Sequence, residues 1–266
     1  MPVPITWEPD CGFSIQEVQQ EVDRQRTALG MKPQRDEEAE REASSEWRTV
    51  GNRDYNKSIY VSLDPGKKQD YSAIIFLEPF LPKIHSLDSV ALGHQQFIYH
   101  ISRMERLPLG TPYPTVARVL RKAYQQLKEN PEFEFIHIVI DVGGVGEAVA
   151  DQIIELISGA DVYRVALTGG RHAKWNDARS VNLPKPEMAS SLISLFESHR
   201  IWVAPEQEQQ LEALRGELVT YERKIGQNYD SFGAMKIGAH DDTISAIGCA
   251  AWLAEDMNGG SIPTMW

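Results

Sequence analysis

Cysteine is nearly missing from this sequence: Cys11 and Cys249 are the two present, far apart and without the spacing of a metal-binding pair. That argues against a disulfide framework and against a structural zinc site. Long apolar runs are missing too. No stretch approaches the length that crosses a bilayer, and the first twenty residues lack the basic-then-apolar order of a secretory signal, so a cytoplasmic chain without a membrane partner is expected. Positive charge is short: 27 Lys and Arg stand against 38 Asp and Glu, a formal net charge of −11. Phosphate binding draws its affinity from Lys and Arg, so a protein that grips nucleic acid over its whole surface is excluded. No internal repeat or low-complexity tract is evident.

What is present suffices for a sizeable core, with 42% hydrophobic residues in a chain of 266. Residues 1–55 are polar, mix acids and bases ("RDEEAEREASSEWR") and favour helix, and they read as a helical appendage or linker. Residues 56–256 read as the main domain and 257–266 as a tail. In that domain "SIYVSLD", "YSAIIFLE" and "HQQFIYHISRME" are strand-like runs joined as an antiparallel meander. "TVARVLRKAYQQLKE" sets Val116, Val119, Leu120, Ala123 and Leu127 on one helical face. "FIHIVID", the Gly-rich turn and helix of "GGVGEAVADQIIELI", and "DVYRVAL" then give a parallel β-α-β unit. Two helices, a hairpin in "VTYERKIGQNYDSFGAMKIG" and a closing helix in "DDTISAIGCAAWLAEDM" complete the chain. The expected class is α/β, a mixed central sheet of about five strands flanked by helices.

The acids stand at telling places. "IYVSLD" and "IHIVID" each end in Asp, and in each the Asp lies on the face opposite three apolar residues. Paired in parallel and in register, these strands project Asp64 and Asp141 side by side. "GAHDDTISAIG" adds His240, Asp241 and Asp242 at the start of a helix whose Gly248, Ala250 and Ala251 permit close approach to the sheet. Like charges a few ångströms apart need a cation, and all-oxygen ligands suit Mg²⁺ or Mn²⁺ better than zinc. Two such ions can activate a water and stabilise the leaving oxygen of a phosphodiester. Asp70, across the turn from Asp64, is placed to reach the second ion or to orient a water. A second feature is the basic stretch "YRVALTGGRHAKWNDARSVNLPK". There Arg164, Arg171, His172, Lys174, Arg179 and Lys185 face Asp177 alone, and they are the expected contacts to a DNA backbone, with the hairpin around Arg223 and Lys224 next in line.

"SLDPGKKQDYSAI", "MERLPLGTPYP", "VIDVGGVGEAV", "LTGG" followed by "NLPK", and "GAHDDTISAIG", in that order, resemble the nuclease domain of the large terminase subunit of tailed double-stranded DNA bacteriophages. The resemblance spans about residues 58–255 and implies a ribonuclease H-like fold related to Holliday-junction resolvases. It implies Asp64, Asp141 and Asp242 as catalytic, metal-binding acids, with Asp241 and Asp70 as further metal positions and His240 as an auxiliary. It also implies two divalent cations, Mg²⁺ or Mn²⁺, and an endonuclease that cuts double-stranded DNA with low sequence specificity during viral genome packaging, in the host cytoplasm. A large terminase also carries an ATPase motor, and no G-x-x-x-x-G-K-[ST] loop is present here. An ATPase motor, a small terminase subunit and a capsid portal are therefore the implied partners.

Other readings of the same residues stand beside this one. A strand-terminal Asp often caps the next turn, Asp241 or Asp242 serves as an ordinary helix cap, His240 as a hydrogen-bonding residue, and the basic stretch as a solvated loop. "DVGGVGEAV" also suits an anion-cradling turn. "DPG" and "DVGG" occur in actin-like ATPases and sugar kinases, which transfer phosphoryl groups. A catalytically silent DNA-packaging scaffold of the same fold is the third alternative.

Overall fold

Period-two alternation sorts the strand residues onto two faces, and both faces are used. The computed structural model describes residues 58–66, 70–80, 97–143, 146–157, 159–204, 208–224, 231–234 and 240–258. The expected appendage (1–55), Cys11 and most of the expected tail lie outside these residues. Strands β1 (Ser58–Asp64), β2 (Ser72–Phe80) and β3 (Ile98–Leu107) form the antiparallel meander. Helix α1 (Tyr113–Lys128) leads to β4 (Phe135–Asp141), which returns parallel to β1. Helix α2 (Gly146–Leu156) leads to β5 (Asp161–Thr168), parallel to β4. Strands β3, β2, β1, β4 and β5, in that spatial order and with only β2 reversed, make the mixed sheet of a ribonuclease H-like fold.

The sheet is wider than the expected five strands. The described residues give eight, in the order β6-β7-β5-β4-β1-β2-β3-β8. The additions are a hairpin of β6 (Lys174–Asp177) and β7 (Ser180–Pro184) beyond β5, and β8 (Ile201–Val203) beside β3. They escape a periodicity reading because they run only three to five residues, too few to show an alternation, and β6 and β8 are edge strands. Helices α3 (Lys185–Glu197) and α4 (Glu208–Thr220) follow. A separate hairpin of β9 (Tyr221–Lys224) and β10 (Ser231–Ala234) precedes the closing helix α5 (Asp242–Met257).

Ile59, Val61, Leu63, Ile138 and Ile140 pack with Val116, Leu120 and Leu127 of α1 and Val149 and Ile153 of α2. Tyr60, Ile75, Leu77, Val139 and Val165 face the other way, onto Ile247, Ala250, Ala251 and Leu253 of α5. Each fully buried Ile or Leu contributes about 1.5–3 kcal/mol, so the two-faced burial of β1 and β4 fixes their register strongly. That register pairs Leu63 with Ile140 and brings Asp64 abreast of Asp141. Val119, expected on the buried stripe of α1, is half-buried at its margin. Helix α5 is buried almost all round, with every residue from Asp242 to Glu255 inside. Small residues permit this, since a Cβ on Gly248 would lie 2.7 Å from Met188 of α3. Cys249 is a free, buried thiol of this helix.

Among the buried titratable groups is His137. His137 stacks on Tyr60 at 4.7 Å and meets the edge of Tyr163, and burial lowers its pKa from 6.5, opposed by Asp161. A base whose folded pKa is depressed contributes stability above its unfolded value and loses it as the pH falls through the folded one. His137→Phe, melted without metal, is therefore expected to gain on wild type as the pH drops below 6.5, with little difference at pH 8. A gap that does not change with pH would contradict this.

Candidate functional site

The carboxyl ends of β1 and β4 lie about 4.8 Å apart, and each ends in an acid on the α5 face. Both turns that follow are tight. Gly66 is pressed against the Tyr71 backbone and donates its N–H to Ser72 Oγ at 3.1 Å, so the chain after Asp64 folds straight back into β2. Gly146 is pressed against the backbone carbonyl of Asp141, where no Cβ fits, and a Cβ on Gly143 would lie 3.0 Å from Asp141 Oδ1, so these two glycines serve close packing beside the site. Opposite these strand ends stands the first turn of α5 with Asp241 and Asp242.

Burial, then the charges of Asp141, Asp242 and Asp241, hold the Asp64 carboxyl well above its ordinary range, against the pull of Lys185. Burial also raises Asp141, while the Gly143 N–H (2.7 Å), Lys185 and the Leu167 N–H pull it down. Burial, then Glu217, pushes Asp242 up to about 6, although its Oδ2 accepts the Tyr71 N–H at 3.2 Å. Asp241 Oδ2 lies 3.5 Å from Lys185 Nζ and against Gly233 of β10, where a Cβ would come within 2.9 Å. Asp70 is half-exposed; His240 Nδ1 stands 3.7 Å from Asp70 Oδ1 and 3.7 Å from Asp242 Oδ2, with its ring edge-on to Tyr71.

Asp64, Asp141, Asp241 and Asp242 are thus drawn to one edge, with Asp70 and His240 on its outer side. Among the described residues no three His, Cys, Asp or Glu side chains already enclose a metal ion; Asp141 is turned onto its own following turn and Asp241 onto Lys185. The donor set itself, buried carboxylates raised by one another, suits a hard divalent ion. The capping reading holds for Asp141 in part. It fails for Asp241, which occupies the N-cap position of α5 without a side-chain cap bond.

The basic stretch does not lie on one face. Arg171, His172 and Lys174 are exposed on the segment that leaves the carboxyl end of β5, at the acid edge. Glu187 of α3 pins that segment, accepting the Ala173 N–H at 2.6 Å and the Trp252 indole N–H at 3.2 Å. Lys185 sits among the acids. Arg164 and Arg179, expected beside them, point to the α2 side: Arg164 pairs with Glu147 (3.0 Å) and Asp151 (2.7 Å), and Arg179 with Asp161. Both line a cleft of about 450 Å³ between α2 and the β6–β7 turn. Period two puts Arg164 on the face opposite Val165, the residue abreast of Asp141, and the hairpin carries Arg179 back to the start of β5.

Two residues of this region stand outside the expected set of site residues. Glu217 of α4, buried, and Arg106 of β3, partly buried, stand behind Asp242, 3.7 Å apart, and the Arg106 guanidinium lies 4.0 Å from the centre of the Tyr71 ring. In the sequence Arg106 lies within "MERLPLGTPYP", and the trace of Glu217 is a Glu within the otherwise apolar-faced "LEALRGEL".

The fold and the acid edge together define a ribonuclease H-like α/β domain with a carboxylate cluster at the carboxyl ends of its central strands. No protein-family model and no curated protein matches the chain. Among solved structures it is similar to the large terminase nuclease of thermophilic phage G20c (19% identity, TM-score 0.46, covering 76% of this chain and 83% of that one). It is similar to the Mn-soaked human cytomegalovirus terminase nuclease domain (16%, 0.47, 81% and 90%). The Mn-bound large terminase nuclease domain of bacteriophage SPP1 is another (13%, 0.43, 76% and 89%). No helix among the described residues is long and apolar enough to cross a membrane.

Proposed function

We propose that this chain is a divalent-metal-dependent endonuclease that hydrolyses double-stranded DNA with little sequence preference, as the cutting component of a viral genome-packaging machine. The observation that carries the reading is the meeting of Asp64, Asp141 and Asp242, from two strands and a helix, with each carboxyl raised by burial and by neighbouring acids. Such a cluster is costly without a cation, and sites that hold it serve chemistry. Asp64, Asp141 and Asp242 would hold Mg²⁺ or Mn²⁺, with Asp241 and Asp70 at the margin. When bound, the ions supply an activated water and charge stabilisation at the phosphodiester. His240, between Asp70 and Asp242, is placed to orient water or hold a proton. Lys185 offsets part of the acid charge and stands where a phosphate enters. Partners are the DNA, an ATPase motor and a small terminase subunit, with a portal as the docking point.

Supercoiled plasmid incubated with the full chain is expected to be nicked and then cut with Mg²⁺ or Mn²⁺, and left intact with EDTA. Intact plasmid under every metal sinks the reading. ATP hydrolysis in its place would favour a phosphoryl-transfer domain, and neither activity a packaging scaffold.

The placement of the cations sharpens the DNA path. Arg171→Ala with Lys174→Ala is expected to weaken cutting of every sequence alike and to lower the log–log salt slope by up to about 1.8, two phosphate contacts at about 0.9 each. Arg164→Ala and Arg179→Ala, on the other face, are expected to leave cutting unchanged across the salt series. Equal losses from both sets would put the duplex elsewhere.

A further inference from the structure

Helix α5 is capped from a distance. Its N-cap residue, Asp241, is a type that ordinarily bonds the first free N–H groups itself, yet its carboxylate turns to Lys185. The Thr243 and Ile244 N–H groups go instead to Glu217 Oε2, at 2.9 and 3.1 Å, and the Thr243 hydroxyl donates to Glu217 Oε1 at 2.7 Å. Glu217 is 26 residues earlier in the chain and only 4% exposed. Burying a second carboxylate behind Asp242 costs desolvation and repulsion that a local cap would avoid. Stability alone therefore does not account for it. Arg106 ties the arrangement together: its guanidinium faces Glu217 at 3.7 Å and covers Tyr71, whose N–H holds the Asp242 carboxylate. The helix turn that follows Asp242 and the Tyr71 segment that holds its carboxylate thus lean on one pair, Glu217 and Arg106.

We propose that Glu217 is a positioning residue of the carboxylate site: by taking over the cap of α5 it frees Asp241 to face the site and, with Arg106, fixes where Asp242 presents its oxygens. The proposal rests on the reading of this site as a divalent-metal centre. Glu217 touches neither the ion nor the DNA. Its charge adds to the attraction for a cation, and its geometry sets the ligand.

The test uses the full chain, with Mn²⁺ alone as the probe and the melting temperature as the readout, at pH 8. Glu217→Gln presents an amide NH₂ where an acceptor is needed. It is expected to melt lower without metal and to need about ten-fold more Mn²⁺ for half of the full thermal shift. Plasmid cutting should fall in the same ratio at low Mn²⁺ and recover at saturation, with KM for DNA unchanged. Glu217→Asp keeps the charge on a shorter arm, should rescue part of the loss, and decides the matter if the Gln variant does not fold. A wild-type Mn²⁺ midpoint in the folded Gln variant, or in the Asp variant where only that one folds, overturns the proposal and leaves Glu217 a cap. Wild type that fails to respond to Mn²⁺ sinks the metal reading itself, which separates the two failures.

Discussion

Asp64→Asn, Asp141→Asn and Asp242→Asn are each expected to lower metal-dependent cutting at least about a thousand-fold, since the charge stabilisation at stake is several kcal/mol and each 1.36 kcal/mol is a factor of ten. The same substitutions should leave the metal-free protein as stable as wild type or more so. Each removes a charge from a cluster where burial and like neighbours raise the carboxyls, and Asn keeps an oxygen able to accept the Gly143 or Tyr71 N–H. Plasmid cutting and EDTA-treated melting curves check both halves. Loss of activity together with a lower melting temperature in all three would mark these residues as structural caps.

A comparable effect is expected from the metal on the intact protein. Saturation at about 100 times Kd adds about 2.7 kcal/mol, which for a domain of this size is a rise of about 5–10 °C in melting temperature at pH 8. Protons compete for the same oxygens. With Asp242 raised from 3.8 to about 6, the rise should shrink below pH 6 and be nearly gone at pH 4. The metal-free protein should show the matching sign: a raised carboxyl contributes stability below 3.8 that is lost as the pH climbs through about 6. Asp242→Asn should therefore gain on wild type at pH 8 and lose that gain by pH 4. Melting scans from pH 4 to 8, with Mn²⁺ and with EDTA, separate the two effects; a metal shift that survives at pH 4 contradicts the assignment of Asp242.

How far the sequence could be read followed the range of the interactions. Strands β1 and β4 were legible because alternation is a local property, and "IYVSLD" and "IHIVID" carry it without a break; their register and the neighbouring of Asp64 and Asp141 then followed. The β6–β7 hairpin was not legible, since "KWNDARSVNLP" has the composition of a loop and becomes strand only by pairing with β5. The fate of Arg164 and Arg179 depended on that same pairing, so a run of cations in sequence divided into two faces in space. Glu217 was out of reach for a different reason. Its role is written in the unmet N–H groups of a helix 26 residues away, and no spacing rule reports that.

The three acids enter the chain at residues 64, 141 and 242, and the last of them opens the helix that covers the α5 face of the sheet. During synthesis a ribosome-bound chain therefore holds two carboxylates and an uncovered apolar face until α5 emerges. Closure of the core and, on the proposed function, competence to cut arrive in the same step. If the chain cuts DNA as proposed, a copy halted before α5 would be sticky rather than destructive, a substrate for chaperones and proteases instead of a hazard to the DNA around it.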